Sequence, residues 1–127
     1  MVVYLDTNIL IYLFEQHDTY SELVAKLLED YTKNGETLIT STITVTEFLA
    51  GTTASTLKTL QTVPRLHFIP LSESLAEQAA LLQRKGSLQI GDAIHLATAL
   101  GQQASTFFTN DKQLAKMAKD YMSVRHL

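Results

Sequence analysis

Five short runs of β-branched, aromatic and aliphatic residues punctuate this chain, at residues 2–5, 37–40, 66–69, 106–108 and 122–124. Between them lie segments whose apolar residues recur at helical spacing. Strands that alternate with helices pair in parallel, because each connection must carry the chain back across the sheet. The alternation therefore predicts an α/β fold with a central parallel sheet of four to five strands, flanked by helices. At 127 residues it also predicts a single domain spanning 1–127.

The punctuation within the pattern is specific. Asn8 begins a short helix that runs through about Phe14, and a turn is expected over residues 16–19. Leu23, Val24, Leu27, Leu28 and Tyr31 form the apolar face of the next helix, which Lys33-Asn34-Gly35 stops. A helix through Val45, Phe48 and Leu49 ends at Gly51, and the Thr-rich residues 52–63 are read as helical up to Pro64. Ser72 caps a helix carrying Leu75, Ala79 and Leu82, which Gly86 ends. An Ala-rich helix over 91–100 and a last one over 112–119 complete the set.

Composition removes several function classes. Hydrophobic content of 46% with 18% charged residues describes a chain with a sizeable core rather than a disordered one. The absence of cysteine excludes disulfides, thiolate nucleophiles and cysteine-ligated zinc. The longest apolar run, residues 9–14, is far short of the ~20 residues of a membrane span. No basic region precedes the first apolar stretch, so a signal peptide is not expected and a cytoplasmic protein is.

Four acids carry the chemical information: Asp6, Glu47, Asp92 and Asp111. Each taken singly has a structural explanation. Asp6 and Asp111 stand where helix caps are wanted, Thr44-x-x-Glu47 fits a capping box, and Asp92 suits a helix start. Together they read differently. Asp6 and Asp111 follow different strands onto the same rim of a parallel sheet, which is where ligands of such sheets bind. Asp92 sits among Ile90, Ala93, Ile94 and Ala97, where an ionised carboxylate needs a cation or hydrogen-bond donors. Carboxylates gathered on one rim predict a divalent-metal site. The net charge of −3 is compatible with a polyanionic substrate once the quartet is set aside. Nine acidic residues then face ten basic ones, and two divalent ions would cancel the quartet.

The sequences around these acids, Leu5-Asp6-Thr7-Asn8, Thr46-Glu47-Phe48-Leu49-Ala50-Gly51, Gly91-Asp92-Ala93-Ile94-His95-Leu96-Ala97-Thr98-Ala99 and Phe108-Thr109-Asn110-Asp111-Lys112, resemble the four blocks of the PIN domain in order and spacing. Among PIN proteins the chain is most similar to VapC-type toxins of toxin–antitoxin pairs. The resemblance implies a metal-dependent endoribonuclease with Asp6, Glu47, Asp92 and Asp111 as its catalytic, metal-binding quartet. It places Asn8 and Thr109 as polar residues supporting those carboxylates. It implies an RNA substrate, a homodimer and a cognate small antitoxin whose peptide lies on part of the apolar surface of the first two helices. All-oxygen ligands suit Mg²⁺ or Mn²⁺.

Three cations, Arg84, Lys85 and Lys112, are candidates for contact with substrate. Lys112, Lys116 and Lys119 share a helix face that by default is a solvated stripe. His95, one turn after Asp92, is read as a packed structural histidine, and His17, His67 and His126 have no zinc-site spacing. Three other functions fit less of the chain. A housekeeping PIN nuclease for RNA processing would share the site and lack the antitoxin. A receiver-type phospho-acceptor needs an acid after the third strand, where Pro70-Leu71-Ser72 stands. A dehalogenase-type phosphatase needs Asp-x-Asp where this chain has Asp6-Thr7-Asn8.

Overall fold

The computed structural model describes residues 1–15, 18–54 and 56–127. The expected turn at 16–19 and His17 therefore fall partly or wholly outside the described residues. Five parallel strands, β1 (Val2–Leu5), β2 (Thr37–Ser41), β3 (Leu66–Ile69), β4 (Thr106–Phe108) and β5 (Ser123–Arg125), form one sheet in the order β3-β2-β1-β4-β5. This is the five-stranded parallel arrangement that the alternation predicts. The helices are α1 (Thr7–Phe14), α2 (Ser21–Lys33), α3 (Ile43–Gly51), α4 (Glu73–Lys85), α5 (Ile90–Gly101) and α6 (Lys112–Ala118).

Side chains of a strand alternate between its two faces, and the two halves of the core follow that period. Val3, Leu5, Leu38 and Phe108 pack with Ile9, Leu10, Val24, Leu28 and Phe48 of α1, α2 and α3. Tyr4, Ile39 and Phe107 face the other way, against Ala79, Leu82, Ala93, Leu96, Ala97 and Leu114 of α4, α5 and α6. Burying a large aliphatic side chain contributes roughly 1.5–3 kcal/mol. Both faces of the sheet are thus covered, which is why its strands read as nearly continuous apolar runs.

Local signals place most boundaries. Gly35 takes φ +79 after α2, a left-handed conformation in which a Cβ would be strained. Ser72 accepts a hydrogen bond from the Leu75 amide and starts α4. Four readings need correction. Among the described residues of 52–63 the one helical element is a 3-10 turn, Leu60–Thr62, because their threonines bond to nearby backbone: Thr52 donates to Phe48 O and accepts from the Ala54 amide. Thr44 and Glu47 do not make a capping box, since both lie inside α3, whose N-cap is Thr42. Leu23 and Ile90 point to solvent, 44% and 65% exposed, rather than into the core. The last strand is shifted by one residue to Ser123–Arg125.

The strand order has one functional consequence. Connections from β1 run to β2 and β3 on one side, whereas β4 adds to the opposite side of β1. Between β1 and β4 the order reverses, and a crevice opens at the carboxyl ends of strands on either side of such a reversal.

Candidate functional site

Asp6 leaves the end of β1 and Thr109 the end of β4, so both stand at that crevice. The Asp6 amide continues the ladder by donating to Phe108 O at 3.0 Å. Its carboxylate is almost fully buried and held at both oxygens. Oδ1 accepts from the Thr7 amide at 2.8 Å, while Oδ2 accepts from Thr109 Oγ1 at 2.6 Å and Asn8 Nδ2 at 3.3 Å. Burial nevertheless pushes the Asp6 carboxyl above the ordinary range, against the pull of His95 and these donors. Thr109 also accepts from the Asp111 amide at 3.1 Å, and Asn8 Oδ1 accepts from the Asn110 amide at 3.4 Å. Asn8 and Thr109 thereby tie the β1 and β4 corners together around one carboxylate.

Glu47 arrives from α3. Its Oε1 accepts from Thr7 Oγ1 and from His95 Nε2, both at 2.7 Å. An ionised carboxylate can only accept, which fixes the proton of the imidazole on Nε2. Half-burial opposes the charge on Glu47, but these two donors outweigh it and hold its carboxyl below the usual range. The other oxygen, Oε2, lies over the first turn of α5, where a Cβ on Gly91 would meet it at 3.0 Å.

His95 is buried, as its reading as a structural histidine requires, but it sits among the acids. Nδ1 meets the Tyr4 hydroxyl at 2.5 Å, and Nε2 lies 3.2 Å from Thr7 Oγ1 and 3.5 Å from Asp6 Oδ1. Burial disfavours its charged form, yet the Glu47 hydrogen bond and the charges of Asp6, Glu47 and Asp92 raise its pKa. A hydroxyl chain completes the support: Thr7 Oγ1 lies 3.0 Å from Thr44 Oγ1, which lies 2.7 Å from Thr40 Oγ1, which donates to Leu5 O. Tyr4, Thr7, Thr40 and Thr44 were not legible as site residues. Thr7 within Asp6-Thr7-Asn8 was the available signal, and Thr44 was misassigned to a cap.

Asp92 projects from the first turn of α5, partly buried, with no hydrogen bond to it among the described residues. Burial and then the charges of Asp111 and Asp6 push its carboxyl up to about 6; His95 opposes and Glu47 adds to the rise. The four acids therefore share one electrostatic neighbourhood, and their mutual repulsion is concentrated on Asp92. Asp111 caps α6, with Oδ1 accepting from the Leu114 amide at 3.1 Å. The cap readings of Asp6 and Asp111 are correct, and they leave room for a second role.

Among the described residues, no three His, Asp or Glu side chains are grouped tightly enough to enclose a metal ion as they stand. The donor set nevertheless fits a hard divalent cation. It consists of carboxylate oxygens, and among the described residues Glu47 Oε2, both Asp92 oxygens and Asp111 Oδ2 accept no hydrogen bond. A cation is also the group that relieves the repulsion on Asp92.

The basic candidates separate. Lys112 is the first residue of α6, directly after Asp111. Arg84 and Lys85 occupy the last turn of α4, where Lys85 Nζ lies 6.0 Å from the centre of the Tyr121 ring. No ion pair among the described residues ties either to the four acids.

Known proteins agree with this architecture. VapBC2 from Rickettsia felis, solved bound to a DNA fragment from its promoter, superimposes with a TM-score of 0.77 at 22% identity, covering 100% of this chain and 99% of that one. A toxin–antitoxin complex from Klebsiella pneumoniae gives 0.72 at 28% identity over 89% of this chain and 90% of that one. VapC20 of Mycobacterium tuberculosis, a Sarcin-Ricin loop cleaving toxin, gives 0.71 at 14% identity over 91% and 94%. No curated relative matches by sequence. The family model for the PIN domain matches residues 3–120, and the chain belongs to the PIN domain family.

Proposed function

We propose that this protein is a divalent-metal-dependent endoribonuclease and the toxin of a toxin–antitoxin pair. The observation that carries the reading is the shared electrostatics of the acids at the sheet's reversal point: burial, and then the charges of Asp111, Asp6 and Glu47, raise the Asp92 carboxyl to about 6. Membership of the PIN domain family supports a nuclease, and the likeness to VapC structures and toxin–antitoxin complexes supports an antitoxin partner. The alternative, an RNA-processing nuclease without antitoxin, uses the same site.

Asp6, Glu47, Asp92 and Asp111 would hold Mg²⁺ or Mn²⁺. Such an ion acidifies water and neutralises charge on phosphate. The chain supplies order around it. Thr7, Asn8 and Thr109 lock the two Asp6 oxygens, and His95 and Thr7 lock Glu47 Oε1, which turns Oε2 toward the α5 terminus. Hydrogen-bonded carboxylates keep their orientation without reorganising when substrate arrives. The test is RNA cleavage by the purified protein with Mg²⁺ or Mn²⁺, which is expected to stop in excess chelator. Cleavage that persists in chelator would sink the metal-dependent reading.

Gly91 allows stability and activity to be separated. Alanine is a better helix former by up to about 1 kcal/mol. Its Cβ, however, would press on Glu47 Oε2 from 3.0 Å and displace it by a few tenths of an ångström. Gly91→Ala is expected to melt at an equal or higher temperature while cleaving RNA about ten-fold more slowly, since small misplacements at a reacting centre are costly. Thermal melting and single-turnover cleavage on one preparation decide it. Unchanged cleavage would show that Oε2 is not needed where it stands.

A further inference from the structure

A cavity of about 400 Å³ lies beside α6, lined among others by Tyr20, Asp111, Lys112, Lys116, Lys119 and His126. Asp111 belongs both to this cavity and to the acidic quartet, so the cavity adjoins the site. Its wall is basic for a reason of spacing. Lys112, Lys116 and Lys119 follow one another at intervals of four and three residues, which puts them on one face of the helix.

At Lys112 that placement goes against helix physics. On α2 the lysines are neutralised one turn away, Lys26 by Asp30 and Lys33 by Glu29. On α6 the residue one turn beyond Lys112 is another lysine, and like charges at that spacing destabilise a helix. Lys112 also stands at the helix start, where the dipole disfavours a cation. None of the three pairs with a carboxylate among the described residues. Lys116 and Lys119 lie at the carboxyl end of α6, which favours cations, so the rule broken is at Lys112 and its spacing to Lys116, as is expected where charge serves a ligand.

Without ions at the quartet the chain as a whole carries −3, which repels a polyanion. A strand led to the quartet therefore needs a local positive wall. Lysine offers a compact charge that reads phosphate without demanding planar geometry, as suits a backbone rather than a base. We infer that the wall of Lys112, Lys116 and Lys119 binds the sugar-phosphate backbone of the RNA strand beside the point of cleavage. This rests on the ribonuclease reading above and adds to it a path for the substrate.

The experiment measures binding of a short single-stranded RNA to the full chain in EDTA across a salt series. Each phosphate contact contributes roughly 0.7 to the slope of log affinity against log salt for single strands. Lys116→Ala with Lys119→Ala is expected to lower that slope by about 1.4, with equal weakening for unrelated sequences. The matched pair Lys26→Ala with Lys33→Ala leaves it unchanged, and Lys116→Arg with Lys119→Arg restores it. In Mg²⁺ the alanine pair raises KM and keeps kcat. An unchanged slope overturns the inference, including one that accompanies weakened binding of an acidic peptide, and so does a wild type that binds no RNA. A wild type that fails to cleave while its slope still depends on these lysines overturns the nuclease reading alone.

Discussion

Asp6→Asn and Asp92→Asn are each expected to lower single-turnover RNA cleavage in Mg²⁺ by about 10²–10³-fold, the range for removing one preorganised electrostatic element. The two variants reach that loss by different routes. Among the described residues nothing donates to Asp92, so asparagine there removes a charge and disturbs no hydrogen bond. Asp6 is engaged at both oxygens, by the Thr7 amide on one and by Thr109 and Asn8 on the other. An amide in its place turns an NH₂ group toward at least one existing donor. Asp6→Asn should therefore lose activity and also loosen the contact between the β1 and β4 corners, which hydrogen exchange at Thr109 to Asp111 would register. Wild-type cleavage rates in both variants would sink the metal-quartet mechanism.

The same substitution at Asp92 should make the metal-free protein more stable. Its carboxyl titrates near 6 in the folded chain against an ordinary value of 3.8. A raised carboxyl pKa means the folded state holds the proton more tightly than the unfolded state does. The resulting stability is fully present below about pH 4 and is lost as pH rises through 6. Above that, ionised Asp92 works against folding. A rise from 3.8 to about 6 corresponds to roughly 3 kcal/mol, which solvent screening at a partly exposed group reduces to about 1–2 kcal/mol. Asp92→Asn in EDTA at pH 7.5 is thus expected to melt several degrees higher than wild type, with the difference closing near pH 4. Mg²⁺ should raise the wild type selectively and narrow the gap, because an ion that binds only the folded state stabilises it. A variant that melts lower than wild type at pH 7.5 in EDTA would contradict the placement of repulsion on Asp92.

The order of strands and helices could be read from the chain because each depends on neighbours within a few residues. Gly35, Ser72 and Gly86 mark their boundaries by local chemistry, and the structure keeps all three. Residues 52–63 were misread because Leu57 and Leu60 supplied a helical period while threonine hydroxyls competed for the backbone, which periodicity does not weigh. The acids could be named from their flanking blocks, yet what fixes Asp6 and Glu47 could not. Thr7, Thr40, Thr44 and Tyr4 are ordinary strand and helix residues until the sheet brings them together. His95 was read as structural, and only its contact with Glu47 reveals which carboxylate it orients.

The pairing of β1 with β4 also sets a timetable. Asp6 emerges early in synthesis, but Thr109, which holds its Oδ2, follows 103 residues later. At about 5–20 residues per second, the nascent chain spends roughly 5–20 s with its first acid made and the β4 corner missing. The site cannot close until β4 has docked, because β1 has no partner on that flank before then. Under the proposed nuclease reading, the chain would therefore stay inert until β4 is made and docked.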